Sequence, residues 1–105
     1  MELTGKQRKH LRGLAHSLKP LVHVGAKGLT PEVLRQLDEA LEHHELIKVK
    51  FLDFKDSKQE LTSEIESELG CASAGIIGHH VILYRPSSDA EKRLIHLPKA
   101  PLADG

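Results

Sequence analysis

Residues 46–52 read Leu-Ile-Lys-Val-Lys-Phe-Leu, and this alternation constrains the fold more than any other segment. Successive side chains of a strand point to opposite faces. Ile47, Val49 and Phe51 therefore share an apolar face, and Lys48 and Lys50 share a polar one. A sheet built on such a strand buries one side and keeps the other in water. With 105 residues the chain has room for one domain. No run of about 18 apolar residues is present, so no membrane span is expected. The opening Met-Glu-Leu-Thr-Gly-Lys-Gln-Arg-Lys-His lacks an apolar signal core, and a cytoplasmic protein is expected.

The flanking segments supply helices. Thr4 can cap a helix over about residues 5–17, with Leu11, Leu14, Ala15 and Leu18 as its apolar stripe and Arg8, Arg12 and His16 along one edge. Lys19-Pro20 ends it, and Leu21–Val24 reads as a short strand in which His23 is expected to be packed, with an RNA contact as the lesser alternative. Thr30-Pro31 opens a second helix that ends near His43-His44, with Val33, Leu34, Leu37 and Leu41 inward. Ser57 and Glu60 form a capping box for a third, with Leu61, Ile65 and Leu69 inward and Gly70 past its end. Strands at about 72–77 and 81–85 follow, joined through Gly78-His79-His80. Residues 86–105 look mostly like a tail, with Arg93–Leu97 a candidate weak edge strand.

The order α-β-α-β-α-β-β predicts a parallel core from strand–helix–strand units and an antiparallel hairpin at the end. The expected fold is α/β: an open-faced two-layer sandwich, a four-stranded mixed sheet with helices packed on it. One domain over residues 1–98 and a tail over 99–105 are expected.

A formal net charge of zero conceals an asymmetry. Residues 1–30 carry Lys6, Arg8, Lys9, Arg12, Lys19 and Lys27 against Glu2 alone, whereas residues 31–70 carry a net charge of −6. The local field, and not the isoelectric point, then governs partners. Three aromatics, Phe51, Phe54 and Tyr84, argue against recognition by stacking bases on an aromatic sheet face.

Val24-Gly25-Ala26-Lys27-Gly28-Leu29-Thr30-Pro31 joins a strand to a helix N-terminus. Glycines let a backbone approach a ligand closely. The helix start offers unpaired N–H groups and a positive dipole end, which favour phosphate. Lys27 adds a charge at the tip. The same spacing recurs in Gly75-Ile76-Ile77-Gly78, but that copy has no basic tip and opens no helix, so it reads as structural. Lys27, Lys19 and the basic first helix are expected at one end of the sheet.

Other chemistry finds little support. Of the eight histidines, His43-His44 and His79-His80 are adjacent pairs that splay apart, and no i, i+4 pair or HExxH exists. Cys71 follows a helix C-terminus, where the dipole disfavours a thiolate. Glu64 and Glu68 lack the neighbours a general acid–base pair needs. No P-loop, nucleophile elbow or dinucleotide fingerprint occurs. No metal, no cofactor and no enzyme activity are expected.

Four blocks in order carry a resemblance: Leu3–His16, Leu18–Thr30, Glu42–Lys50, and Ile77-Gly78 through Leu83-Tyr84-Arg85-Pro86. Together they resemble the CRM (chloroplast RNA splicing and ribosome maturation) domain in its stand-alone bacterial YhbY-type form, over roughly residues 2–98. The resemblance implies a fold similar to the C-terminal domain of initiation factor three. It also implies RNA binding, association with precursors of the large ribosomal subunit, and a role in ribosome assembly. The RNA-contacting loop of the family falls on Gly25, Ala26, Lys27 and Gly28. Its basic surface falls on Lys6, Arg8, Lys9, Arg12 and Lys19, and extends to Lys48, Lys50 and Arg85.

The expected function is therefore a monomeric, non-enzymatic RNA-binding protein that holds phosphates with the glycine loop and lysine or arginine side chains. Binding is expected from one face only, because residues 31–70 are so acidic. The alternative is a protein-interaction module whose acidic helices dock a basic ribosomal or assembly protein.

Overall fold

The computed structural model describes residues 1–98. In chain order the elements are α1 (Gly5–Ala15), β1 (Val22–Val24), α2 (Pro31–His44), β2 (Leu46–Phe51), α3 (Lys58–Leu69), β3 (Ala72–Ile77) and β4 (His80–Tyr84), with single 3-10 turns at Lys55–Ser57 and Ala90–Lys92. The expected order and the mixed four-stranded sheet are both present. The sheet runs β1-β2-β4-β3. β1 pairs parallel to β2, and β4 pairs antiparallel to both β2 and β3. The parallel core is thus one strand pair, because β4 inserts between β2 and β3.

Helix starts follow the local chemistry, with one exception. Thr4 and Gln7 form a reciprocal capping box: the Gln7 amide donates to Thr4 Oγ1 (3.1 Å) and the Thr4 amide donates to Gln7 Oε1 (3.0 Å). Thr30 accepts from the Val33 amide, with Pro31 at the first helical position. The box expected at Ser57 and Glu60 does not form. Ser57 closes the 3-10 turn at φ −115°, ψ 20°, and its hydroxyl makes no cap.

The two faces of the sheet differ. Val22, Val24, Ile47, Val49, Phe51, Val81 and Leu83 pack under Leu37 and Leu41 of α2 and Ile65 of α3. The opposite face is open over half its width. Leu11 and Ala15 of α1 cover Ala72, Ala74, Ile82, Tyr84 and Leu46, joined by Leu3, Ile95 and Leu97. The expectation of an open-faced two-layer sandwich therefore describes the β1/β2 half, while α1 adds a third layer over β3 and β4. Small residues on β3 let α1 approach, and the expected stripe narrows as a result: Leu14 and Leu18 are exposed. Residues 86–98 are no edge strand but a packed strap. The tail expected at 99–105 lies outside the described residues.

Glu45 holds that strap. It is 2% exposed, and its carboxylate is satisfied by main chain: Oε1 accepts from Leu94 (2.7 Å) and Ile95 (3.0 Å), and Oε2 accepts from Ser87 (2.6 Å). A buried carboxylate is tolerated only with such partners.

Candidate nucleic-acid interface

Strand register assembles the site. His23 pairs with Lys50, Lys50 with His80, and His80 with Ile77. This row crosses all four strands on the open face, with neighbouring Cβ atoms about 5 Å apart. Lys48 lies in the next row, its Nζ 3.5 Å from the His16 carbonyl at the end of α1. Like charges this close raise one another's cost. Accordingly the His80 imidazole is held below its ordinary pKa of 6.5, by burial first and then by Lys48, Lys50 and His23. No ion pair among the described residues involves Lys27, Lys48 or Lys50.

The glycine loop follows β1 at its C-terminal end, between the sheet and α2. The Gly28 amide donates to the Gly25 carbonyl (3.0 Å), closing a tight turn whose tip, Ala26 and Lys27, is exposed. Among the described residues, the Ala26 and Lys27 amides have no hydrogen-bond partner. Gly28 favours glycine because its φ is +70°, and a Cβ there would make only ordinary contact with the Phe54 ring. Gly25 is different. Its φ is ordinary and a Cβ there would meet open space, so the fold does not demand glycine at 25. Thr30 and Pro31 place the start of α2 beside this turn, and the start of α3 lies at the same end of the sheet.

The predicted basic residues do not all converge. Lys27 and Lys19 lie at opposite ends of β1. Arg12 sits over β3, donating from Nη1 to the Ala74 carbonyl (2.8 Å), and three strand spacings from β1 make about 14 Å. Arg8 donates to the Leu3 carbonyl (2.7 Å). Lys6 and Lys9 are exposed on the outward side of α1 with His10 and Leu14. The expected cluster of Lys27, Lys19 and α1 at one end is therefore replaced by a band. It runs from Lys27 through His23, Lys50, His80 and Lys48 to His16 and Arg12. Arg85 stands apart. It clamps α2 to the end of α3 through Asp38 Oδ1 (2.7 Å), the Asp38 carbonyl (3.1 Å), the Leu69 carbonyl (3.0 Å) and Glu42 (3.6 Å), and only 19% of its side chain is exposed.

His80 is a member that sequence reasoning missed, and His23 is one to which it gave an RNA contact only as the lesser alternative. His23 is exposed, contrary to the packed role expected of it. The alternation Val22-His23-Val24 held the signal, since a residue between two buried neighbours must face the other way. The carboxylates gather on the far layer: Glu32, Asp38, Glu39 and Glu42 on α2, and Glu60, Glu64, Glu66 and Glu68 on α3. Cys71 is buried, and its thiol is pushed up to about 11 by burial and by Glu66, so it is no nucleophile at neutral pH. Among the described residues no cluster of His, Cys, Asp or Glu could hold a metal ion, and no helix is long and apolar enough to cross a membrane.

A small α/β domain with a cationic half-open sheet face and a free-amide turn is the class defined by this geometry. The chain belongs to the CRS1/YhbY (CRM) domain family, whose model matches residues 3–85. It is 45% identical over 98 residues to a Haemophilus influenzae protein named "RNA-binding protein", covering 92% of this chain and 96% of that one. It is 36% identical over 97 residues to the "Probable RNA-binding protein YqeI" of Bacillus subtilis, covering 91% and 99%. The solution structure of a Staphylococcus aureus protein superposes with a TM-score of 0.78 at 36% identity, covering 92% of this chain and all of that one.

Proposed function

We propose that this chain binds RNA through the half-open sheet face and the glycine turn, in the setting of precursor large ribosomal subunits whose assembly it aids. The observation that carries the reading is the row His23–Lys50–His80, a line of cationic and titratable groups with no carboxylate partner. Phosphate supplies the missing counter-charge. The Ala26 and Lys27 amides and the Lys27 ammonium extend the line, and phosphate accepts well from both. The names of the relatives and the family membership support RNA as the polyanion. No catalytic constellation accompanies the turn, so the reading is of a binding protein and not an enzyme.

Segregated charge also suits a second contact. The acidic layer of α2 and α3 faces away from the RNA-binding face and matches a basic ribosomal or assembly protein.

Binding to large-subunit RNA at several salt concentrations tests the first reading. Lys27→Glu and Lys50→Glu should each weaken binding about tenfold and lower the salt slope by about one. Glu64→Lys with Glu68→Lys should leave it unchanged. Undiminished binding by both lysine variants, with a flat salt response, would overturn the reading and favour docking through the acidic layer.

A further inference from the structure

Phe54 is the aromatic side chain that the core does not use. Phe51 is fully buried and Tyr84 is 3% exposed, whereas Phe54 keeps 39% of its surface in solvent. Its backbone is in the left-handed region (φ 58°, ψ 35°), which bulky residues rarely enter. The Asp53 carboxylate holds it there, accepting from the Phe54 amide at 2.8 Å. The ring lies over Gly28, with Cε2 3.5 Å and Cζ 3.7 Å from where a Cβ of that residue would stand. The Leu52 amide donates to the Val24 carbonyl (2.8 Å), which ties this loop to the glycine turn. A strained, half-exposed ring is thus held against the turn that presents free Ala26 and Lys27 amides.

Resting on the RNA-binding reading above, we propose that Phe54 is a base-stacking platform and that the turn beside it takes an unpaired nucleotide, as found in a loop, bulge or strand end. The two halves suit the two halves of a nucleotide: the amides and Lys27 take the phosphate, and the ring takes the base. A duplex keeps its base faces inside the stack and cannot use the ring, whereas any splayed base presents a flat face to it. Three aromatics do not make a stacking sheet, but a single ring beside a phosphate-binding turn sorts single-stranded from paired RNA.

The experiment compares oligoadenylate RNA with a blunt RNA duplex of equal length, bound by wild type, Phe54→Leu and Phe54→Gly. Glycine is at home at this φ, so Phe54→Gly keeps the fold, as its melting curve checks. Both variants should lose at least about fivefold in affinity for oligoadenylate and hold wild-type affinity for the duplex. Phe54→Trp introduces the chain's sole tryptophan, and oligoadenylate should quench it. Wild-type oligoadenylate binding by the Leu and Gly variants, or an unquenched tryptophan in an RNA-bound protein, would overturn the stacking site and leave the phosphate-binding face standing. The same result with loss of an apolar protein partner would make Phe54 a protein contact instead. A wild-type protein that binds neither RNA would overturn both readings.

Discussion

Arg12 lies flat across Gly75, its Cδ 3.0 Å from where a Cβ would stand, and its guanidinium reaches the neighbouring Ala74 carbonyl at 2.8 Å. Gly75 sits at φ +154° where the β3/β4 register shifts. A bulge and a missing side chain together seat a cationic side chain of α1 on an edge strand. Gly75→Ala should destabilise by about 1–2 kcal/mol, through the backbone and the clash. With Arg12→Ala present the clash disappears, so the double-variant cycle measured by urea unfolding should show coupling of at least about 0.5 kcal/mol. Strict additivity would mean that Arg12 does not rest there in solution.

The two glycines of the turn should separate stability from binding. Gly28→Ala meets a positive φ and should cost about 1 kcal/mol, a fall of about 5 °C in Tm. Gly25→Ala meets neither strain nor neighbour, so its Tm should stay within about 1 °C of wild type. Its added methyl adjoins the free Ala26 amide, and RNA affinity should fall severalfold. A Gly25→Ala protein that binds RNA normally would remove close backbone approach from the account.

Glu45 should be the residue on which the strap depends. Glu45→Gln exchanges a carboxylate oxygen for an NH2 group that faces backbone N–H donors, at a cost of about 2 kcal/mol or a Tm lower by about 10 °C. Hydrogen exchange should quicken first at Ser87, Leu94 and Ile95. Unchanged protection at those amides would show that Ile95 and Leu97 hold the strap by packing alone.

On the RNA-binding reading, His80 should make binding sensitive to pH. Its pKa is lowered in the fold, so the native state favours the neutral ring, and this contribution to stability is present at neutral pH and lost as pH falls through the ordinary 6.5 and past the folded value. A phosphate over Lys50 reverses the local field and favours the imidazolium. RNA affinity should therefore rise as pH drops from about 7.5 to 5.5, with a smaller rise in His80→Ala. Affinity that ignores pH in both proteins would place the RNA away from this row.

The elements legible in the sequence are those whose signals are local. Thr4, Thr30-Pro31 and the alternation of 46–52 marked their elements within a residue or two. The unread features depend on distant partners. Glu45 follows His43-His44 in a segment that looks solvated, and it is buried because residues 86–98 return to it. Ser57 carries a capping signature, but the 3-10 turn occupies the position that the cap requires. Arg85 reads as one more surface cation, while the fold sets Asp38 and Glu42 against it. Phe54 leaves no periodic trace, because neither its φ nor its contact with Gly28 is written in spacing.

With acidic helices behind the sheet and cations before it, a molecule of zero formal charge is a dipole with no monopole. Its attraction to a polyanion fades within about one screening length, roughly 8 Å at physiological salt. On the RNA-binding reading proposed above, capture would wait for a near encounter in the right orientation. A docked chain would then turn the acidic layer of α2 and α3 away from the bound strand and repel a second polyanion there.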